Sequence, residues 1–95
     1  MKNNALTLDS IVSRNKDVLS GNIDEEIVLM SFTNNAYYGM NHVASRIWQL
    51  IEEPTPVKVI IQALLREYDV DIQVCRDEVT EYLNILHQRK LLLIH

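Results

Sequence analysis

The side chains of this chain that could carry acid–base, nucleophilic or metal chemistry do not converge on one motif. The histidines His42, His87 and His95 have no metal-site spacing with one another or with the single cysteine, Cys75. No serine occupies a nucleophile elbow, and no glycine-rich loop is present to hold a phosphate. We therefore predict a binding domain that is not an enzyme and uses no metal and no cofactor.

Composition and charge indicate one small cytoplasmic domain. The 95 residues support a single domain, spanning residues 1–95, with a modest core. The formal net charge of −4 disfavours a protein that binds phosphates by bulk electrostatics. A lone cysteine allows no internal disulfide, there is no signal-peptide pattern, and the aliphatic runs are too short to span a bilayer. We expect neither nucleic acid nor membrane as a partner.

The elements that must position any site begin with strands. The segment "SIVSR" at 10–14 is a short strand candidate, and a turn-rich stretch follows around "SGN" at 20–22. The segment "EEIVLMSF" at 25–32 is a stronger strand, because it is dense in large and branched apolar residues. The turn "TNN" then leads back through "AYYGM" and predicts a hairpin.

Helical periodicity starts after Asn41, which is a good N-cap. Thr55 and Pro56 have the pattern of a cap and a first helical residue for a second helix. The final "LLLIH" is a last short strand or a tail packed on the core. The chain is thus predicted to be an α+β, winged helix-turn-helix-like domain with a three-stranded antiparallel N-terminal sheet followed by three helices. The sheet spans about 10–40, and the helices span about 42–52, 56–68 and 74–89.

The stretch "NNAYYGMN" places a glycine in a short aromatic strand that leads directly into a helix. By alternation, Ala36, Tyr38 and Met40 share one face of this strand, and Tyr37 and Gly39 share the other. A strand glycine is typical of a place where another backbone approaches closely. Tyr37 either contacts a partner or is a surface aromatic that covers the sheet.

Several motifs, in order over residues 10–94, resemble those of one family. They are "EEIVLMSF" with a turn and "AYYGMN", then "ASRIWQLIEEPTPVKVIIQALLREYDVD", then "VCRDEVTEYLNILHQRKLLL". This pattern resembles the PqqD-like family, the small domains that recognise leader peptides in ribosomally made natural-product pathways. Met40 and Asn35 stand where leucine and glycine are commoner. The stretch "DVDIQVCRDEVTEYL" is most similar to the stand-alone recognition protein of lasso-peptide pathways.

The resemblance implies that the third strand lies at the sheet edge and that the leader pairs with it, in a groove against the third helix. Val79, Leu83 and Leu86 would be core residues first and groove wall second, whereas a solvated helix face is the alternative for Arg76 and Glu78. Trp48 is expected at the centre of the core. The implied leader-binding residues are Asn35, Ala36, Tyr37, Tyr38, Gly39, Met40, Arg76, Val79, Tyr82, Leu83 and Leu86.

The lasso resemblance also implies partners. The precursor leader would carry a Tyr-x-x-Pro type motif, and the domain would present it to a cysteine leader peptidase and indirectly serve the cyclase. A peptide chaperone for a radical-enzyme pathway, such as that of pyrroloquinoline quinone, is a close alternative.

Two further readings come from other functional classes. One is a winged-helix DNA-binding regulator, in which the third helix enters the major groove, although Asp77, Glu78 and Glu81 on that helix would repel phosphate. The other is a homodimeric structural module, because an exposed strand edge invites self-pairing.

Overall fold

The computed structural model describes residues 6–23, 26–31 and 36–95, and this part of the chain forms two small sheets and three helices. The strands are β1 (Ile11–Arg14), β2 (Val18–Ile23), β3 (Glu26–Ser31), β4 (Ala36–Met40), β5 (Thr55–Pro56) and β6 (Leu92–Ile94). The helices are α1 (His42–Leu50), α2 (Val57–Glu67) and α3 (Ile72–Gln88). The α+β class and the helices are as predicted, with helix ends shifted by one or two residues.

A three-stranded antiparallel sheet is present, and it is built from β2, β3 and β4 in that order. Val28 of β3 lies between two glycines in the register, Gly21 of β2 and Gly39 of β4. The interpretation of "SGN" at 20–22 as a turn is wrong, since these residues lie within β2. All of β2 pairs with β3, and this pairing overrides the turn propensity of Ser20, Gly21 and Asn22. The exposed Ser20 also breaks the alternation of apolar and polar residues that would have predicted a strand.

The second sheet has the order β5-β1-β6 and brings distant parts of the chain together. The predicted strand at 10–14 exists as β1, but it pairs with β5 and β6 instead of joining the hairpin. The final "LLLIH" contains the strand β6, which settles the choice between a strand and a packed tail. The Ser13 hydroxyl and His95 Nε2 are hydrogen-bonded across this sheet at 2.7 Å.

Polar side chains define where the helices begin. The Asn41 Oδ1 atom accepts a hydrogen bond from the Ala44 amide at 2.8 Å, which confirms the predicted cap. Thr55 is not a cap: its hydroxyl donates to the Leu50 and Glu53 carbonyls at 3.0 and 2.8 Å, and α2 begins only after Pro56. Asp71 caps α3, so this helix starts two residues before the predicted position.

The core lies between the helices and the inner faces of the two sheets, and includes Val12 and Leu92 of the second sheet; Trp48 is completely buried, as predicted. Alternation along β4 is also confirmed. Met40 is 3% exposed and Tyr38 packs against the core, whereas Tyr37 is 76% exposed on the other face. In the described ranges, no helix is long and apolar enough to cross a membrane.

Candidate functional site

Among the residues that the structure describes, β4 is the last strand of its sheet, so one of its edges pairs with no other strand. Gly39 lies in this edge strand with an exposed backbone, and a Cβ atom added there would meet no heavy atom within 4 Å. The fold itself therefore does not require glycine at this position. An edge strand with a glycine can receive the backbone of another extended chain.

A cavity of about 430 Å³ opens where β4 passes into α1. It lies between the start of α1, the end of α2 and the first half of α3, and its size is typical of pockets that take a small group. Val43 is 42% exposed and forms part of its wall. The lining residues are Asn41, Val43, Ala44, Ile47, Leu64, Tyr68, Val70, Cys75, Glu78, Val79 and Tyr82.

The pocket is apolar inside with a few polar groups at its rim. The Tyr68 ring meets the His42 ring edge to face, with centroids 6.4 Å apart, and so braces one wall. Glu78 brings a carboxylate to the opposite wall on α3. Burial raises the pKa of the Cys75 thiol, and the nearby Glu78 charge adds to this. A neutral thiol next to apolar side chains suits an apolar ligand.

Tyr82 lines the pocket from α3 and is half-buried. Burial raises the pKa of Tyr82 to about 12, and the positive charge of Arg89 opposes that rise. The Arg89 guanidinium also lies over the ring of Tyr38 on β4, with its carbon 5.2 Å from the ring centroid. Arg89 thus connects the end of α3 to the inner face of β4.

The raised pKa of Tyr82 predicts a loss of stability in alkali. The neutral phenol is favoured in the folded protein, so its contribution is complete below the unfolded pKa of about 10 and is lost as the pH rises through about 12. Because the side chain is partly exposed, we expect a loss of about 1 kcal/mol. Urea unfolding at pH 9 and at pH 11 gives the free energy of unfolding at each pH. The difference between these two free energies should be smaller in Tyr82→Phe. An unchanged difference in Tyr82→Phe would assign the alkaline loss to other groups.

Comparison with known proteins places this architecture in a family. A family model described as coenzyme PQQ synthesis protein D (PqqD) matches residues 26–92. The chain belongs to the PqqD family. This confirms the predicted family resemblance. The solved structure of TbiB1 in complex with the TbiA(beta) leader peptide is similar to this chain, with 34% sequence identity and a TM-score of 0.78. The similarity covers 84% of this chain and 93% of that chain. No curated protein sequence matches the chain.

The PqqD fold brings some of the predicted site residues together and separates others. Val79 and Tyr82 line the pocket, and the Tyr38 ring of β4 lies under the Arg89 guanidinium at the end of α3. Leu83 and Leu86 are buried in the core and do not line the pocket. Tyr37 and Gly39 lie on the exposed face of β4, Met40 lies inside, and Ala36 is placed only as the first residue of β4. Asn35 lies outside the described residues.

Arg76 is separated from the other predicted site residues. It lines a different depression, on another side of α3, together with Leu8, Thr80 and Asn84. Arg76 shares its side of α3 with Thr80 and Asn84, four and eight residues later, and none of these three residues lines the pocket. The structure does not bring Arg76 to the pocket of this PqqD-family domain.

Sequence reasoning missed several pocket residues of this PqqD domain. The predicted site residues did not include Ala44, Ile47, Leu64, Tyr68 and Val70, all of which line the pocket. A usable signal was the group of apolar residues Val70, Ile72 and Val74, which lie just before and at the start of α3. All three are exposed in the structure. Excess apolar residues at a helix start are typical of a binding surface.

Proposed function

We propose that this single PqqD-family domain binds the leader segment of a ribosomally synthesised precursor peptide. The leader adds as a strand to the edge of β4 and lies in the groove between β4 and α3. The observation that carries this proposal is the continuity between an unpaired edge strand and an apolar cavity at its end. The similarity to TbiB1, whose solved structure holds a leader peptide, supports it.

Each part of the site supplies a different component of recognition. The N–H and C=O groups of β4 give affinity that does not depend on the leader's side chains, and the pocket gives selectivity. An aromatic leader residue, such as the tyrosine of a Tyr-x-x-Pro motif, suits the apolar interior lined by Ile47, Leu64 and Val79. Proline has no N–H to donate, so it limits how far the added strand extends.

The domain acts as an adaptor and makes or breaks no bond itself. It presents the leader of a lasso-type precursor to a cysteine leader peptidase in the cytoplasm, and so serves the cyclase indirectly. Holding a leader next to an enzyme converts an encounter in solution into one at high effective concentration. The description of the matching family, coenzyme PQQ synthesis, favours one second candidate: a chaperone for the precursor peptide of that cofactor pathway.

A fluorescence-anisotropy titration tests the proposal. The labelled probe is the leader half of the precursor encoded nearest this gene, and random duplex DNA and the precursor peptide of the quinone pathway are titrated in parallel. Saturable leader binding that survives added salt, with none to DNA, is the expected result. Salt-sensitive DNA binding without leader binding would overturn the adaptor function, and preference for the quinone precursor would select the second candidate.

Gly39→Val should weaken leader binding by about tenfold, equal to about 1.4 kcal/mol. The reason is that a branched side chain in the receiving strand stands against the added backbone, whereas nothing in the domain itself opposes it. Gly21→Val is a matched control, because Gly21 pairs with the same Val28 from the other side and has equally open space.

Both variants should unfold at the same urea concentration as the unsubstituted protein or above it, because valine favours strands. Equal leader affinity in the two folded variants would remove the argument for strand addition at β4.

A further inference from the structure

The end of the groove opposite the pocket is basic, although the whole chain has a net charge of −4. Arg89 is the C-cap of α3, and its guanidinium reaches across to the Tyr38 ring of β4. Its charge also acts on Tyr82, about two helical turns earlier on α3. A cation therefore lies between the two walls of the groove.

Two more cations lie near this end of α3. The Asn15 side chain donates to the Lys90 carbonyl at 2.8 Å, and the Asn15 amide donates to the Leu91 carbonyl at 3.1 Å. These bonds hold the turn between β1 and β2, which includes the exposed Lys16, against the end of α3. Lys90 is exposed too, and within the described part of the chain neither lysine forms an ion pair. Asp17 is the acidic residue of this turn.

The two ends of the groove consequently carry opposite charges. Glu78 lies at the pocket end and Arg89 at the other end, eleven residues later on the same helix, or roughly 16 Å along the helix axis. An extended chain covers this length in about five residues. A bound strand with one group in the pocket therefore passes Arg89 about five residues away.

We propose that Arg89 determines specificity by binding a carboxylate side chain of the leader, about five residues from the group that enters the pocket. This inference rests on the proposed leader-binding function. Arginine has five N–H donors in a planar fork that matches a carboxylate, and an aromatic ring beneath it limits its side-chain freedom. Lys16 and Lys90 add attraction for the same acidic segment.

The test compares the leader peptide with copies in which each Asp or Glu is replaced in turn by Asn or Gln. Anisotropy titrations are run on the unsubstituted domain, on Arg89→Gln and on Arg76→Gln. Arg76 is a matched control, because it is an exposed arginine of α3 that lies outside the groove. One amide substitution should weaken binding to the unsubstituted domain and to Arg76→Gln by about three- to tenfold. The same substitution should make no difference to Arg89→Gln, because the pair is already broken.

A charge exchange separates pairing from a merely structural role of Arg89. Arg89→Glu should lose affinity for the natural leader and regain it with a leader that carries lysine at the identified position. Leader binding by all variants without any dependence on peptide carboxylates would overturn the inference and leave the proposed function standing. A leader without an acidic residue in the bound segment would overturn it equally. Absence of leader binding by the unsubstituted domain would overturn both.

Discussion

Val43→Trp is expected to weaken leader binding by about tenfold or more while the domain remains folded. Val43 is the second residue of α1, two positions after the Asn41 cap, is 42% exposed and forms part of the pocket wall. An indole at this position projects over the mouth of the cavity and occupies the volume that an aromatic leader residue needs. Because the substitution site is already open to solvent, the larger side chain does not have to enter a packed core.

The control for this prediction is Val59→Trp. Val59 is a valine of α2 with 39% exposure, close to that of Val43, and it lines neither depression. Anisotropy with the labelled leader measures affinity, and urea unfolding measures the fold of both variants. Equal affinities for Val43→Trp and Val59→Trp, in proteins of equal stability, would mean that the leader does not use the pocket.

Trp48→Ala is expected to lower the free energy of unfolding by about 3–5 kcal/mol. Trp48 is fully buried, and removal of its ring leaves a cavity that the surrounding helices and sheet cannot refill. Arg14 of β1 lies over the same ring at 5.0 Å and donates from Nε to the Trp48 carbonyl at 3.0 Å, so its packing is lost as well. The free energy of unfolding of such a domain is about 5–15 kcal/mol in total, so the substitution removes a large part of it.

Trp48→Phe separates the packing contribution of the ring from the cost of its buried N–H group, which has no hydrogen-bond partner among the described residues. The Trp48 Nε1 atom is buried without a hydrogen-bond partner among the described residues, and phenylalanine removes that group together with part of the ring volume. Urea unfolding should therefore show a much smaller loss for Trp48→Phe than for Trp48→Ala. Equal losses would show that the five-membered part of the indole dominates the packing.

Local patterns in the sequence were sufficient for most elements. Asn41 predicts the start of α1 because a side-chain cap is a local interaction between residues three apart. The alternation of Tyr37, Tyr38 and Met40 predicts the faces of β4 for the same reason, since a strand has a fixed period. Trp48 falls on the helical stripe of α1 and is correctly placed at the core.

The parts of the site that the sequence did not predict depend on contacts between distant elements. Val43 has the same helical spacing as core residues, and only the position of α3 decides that it faces a cavity. Arg76 and Arg89 are both arginines of α3 or its cap, yet Arg89 meets β4 whereas Arg76 lines a separate depression. Thr55 has a capping pattern, but it lies in β5, where it pairs with Val12 of β1.

The hydrogen bond between Ser13 and His95 joins residues 82 positions apart, and it belongs to a sheet that only the nearly whole chain can complete. The strands β2, β3 and β4, by contrast, follow one another closely in the sequence. Contacts that are local in sequence form faster than those that must close a long loop. The sheet of β2, β3 and β4 is thus expected to form early. The pairing of β6 with β1 is expected to form late and slowly, and it fixes the position of the end of α3. Folding kinetics, and not only the final geometry, then decide when the domain can first bind a peptide.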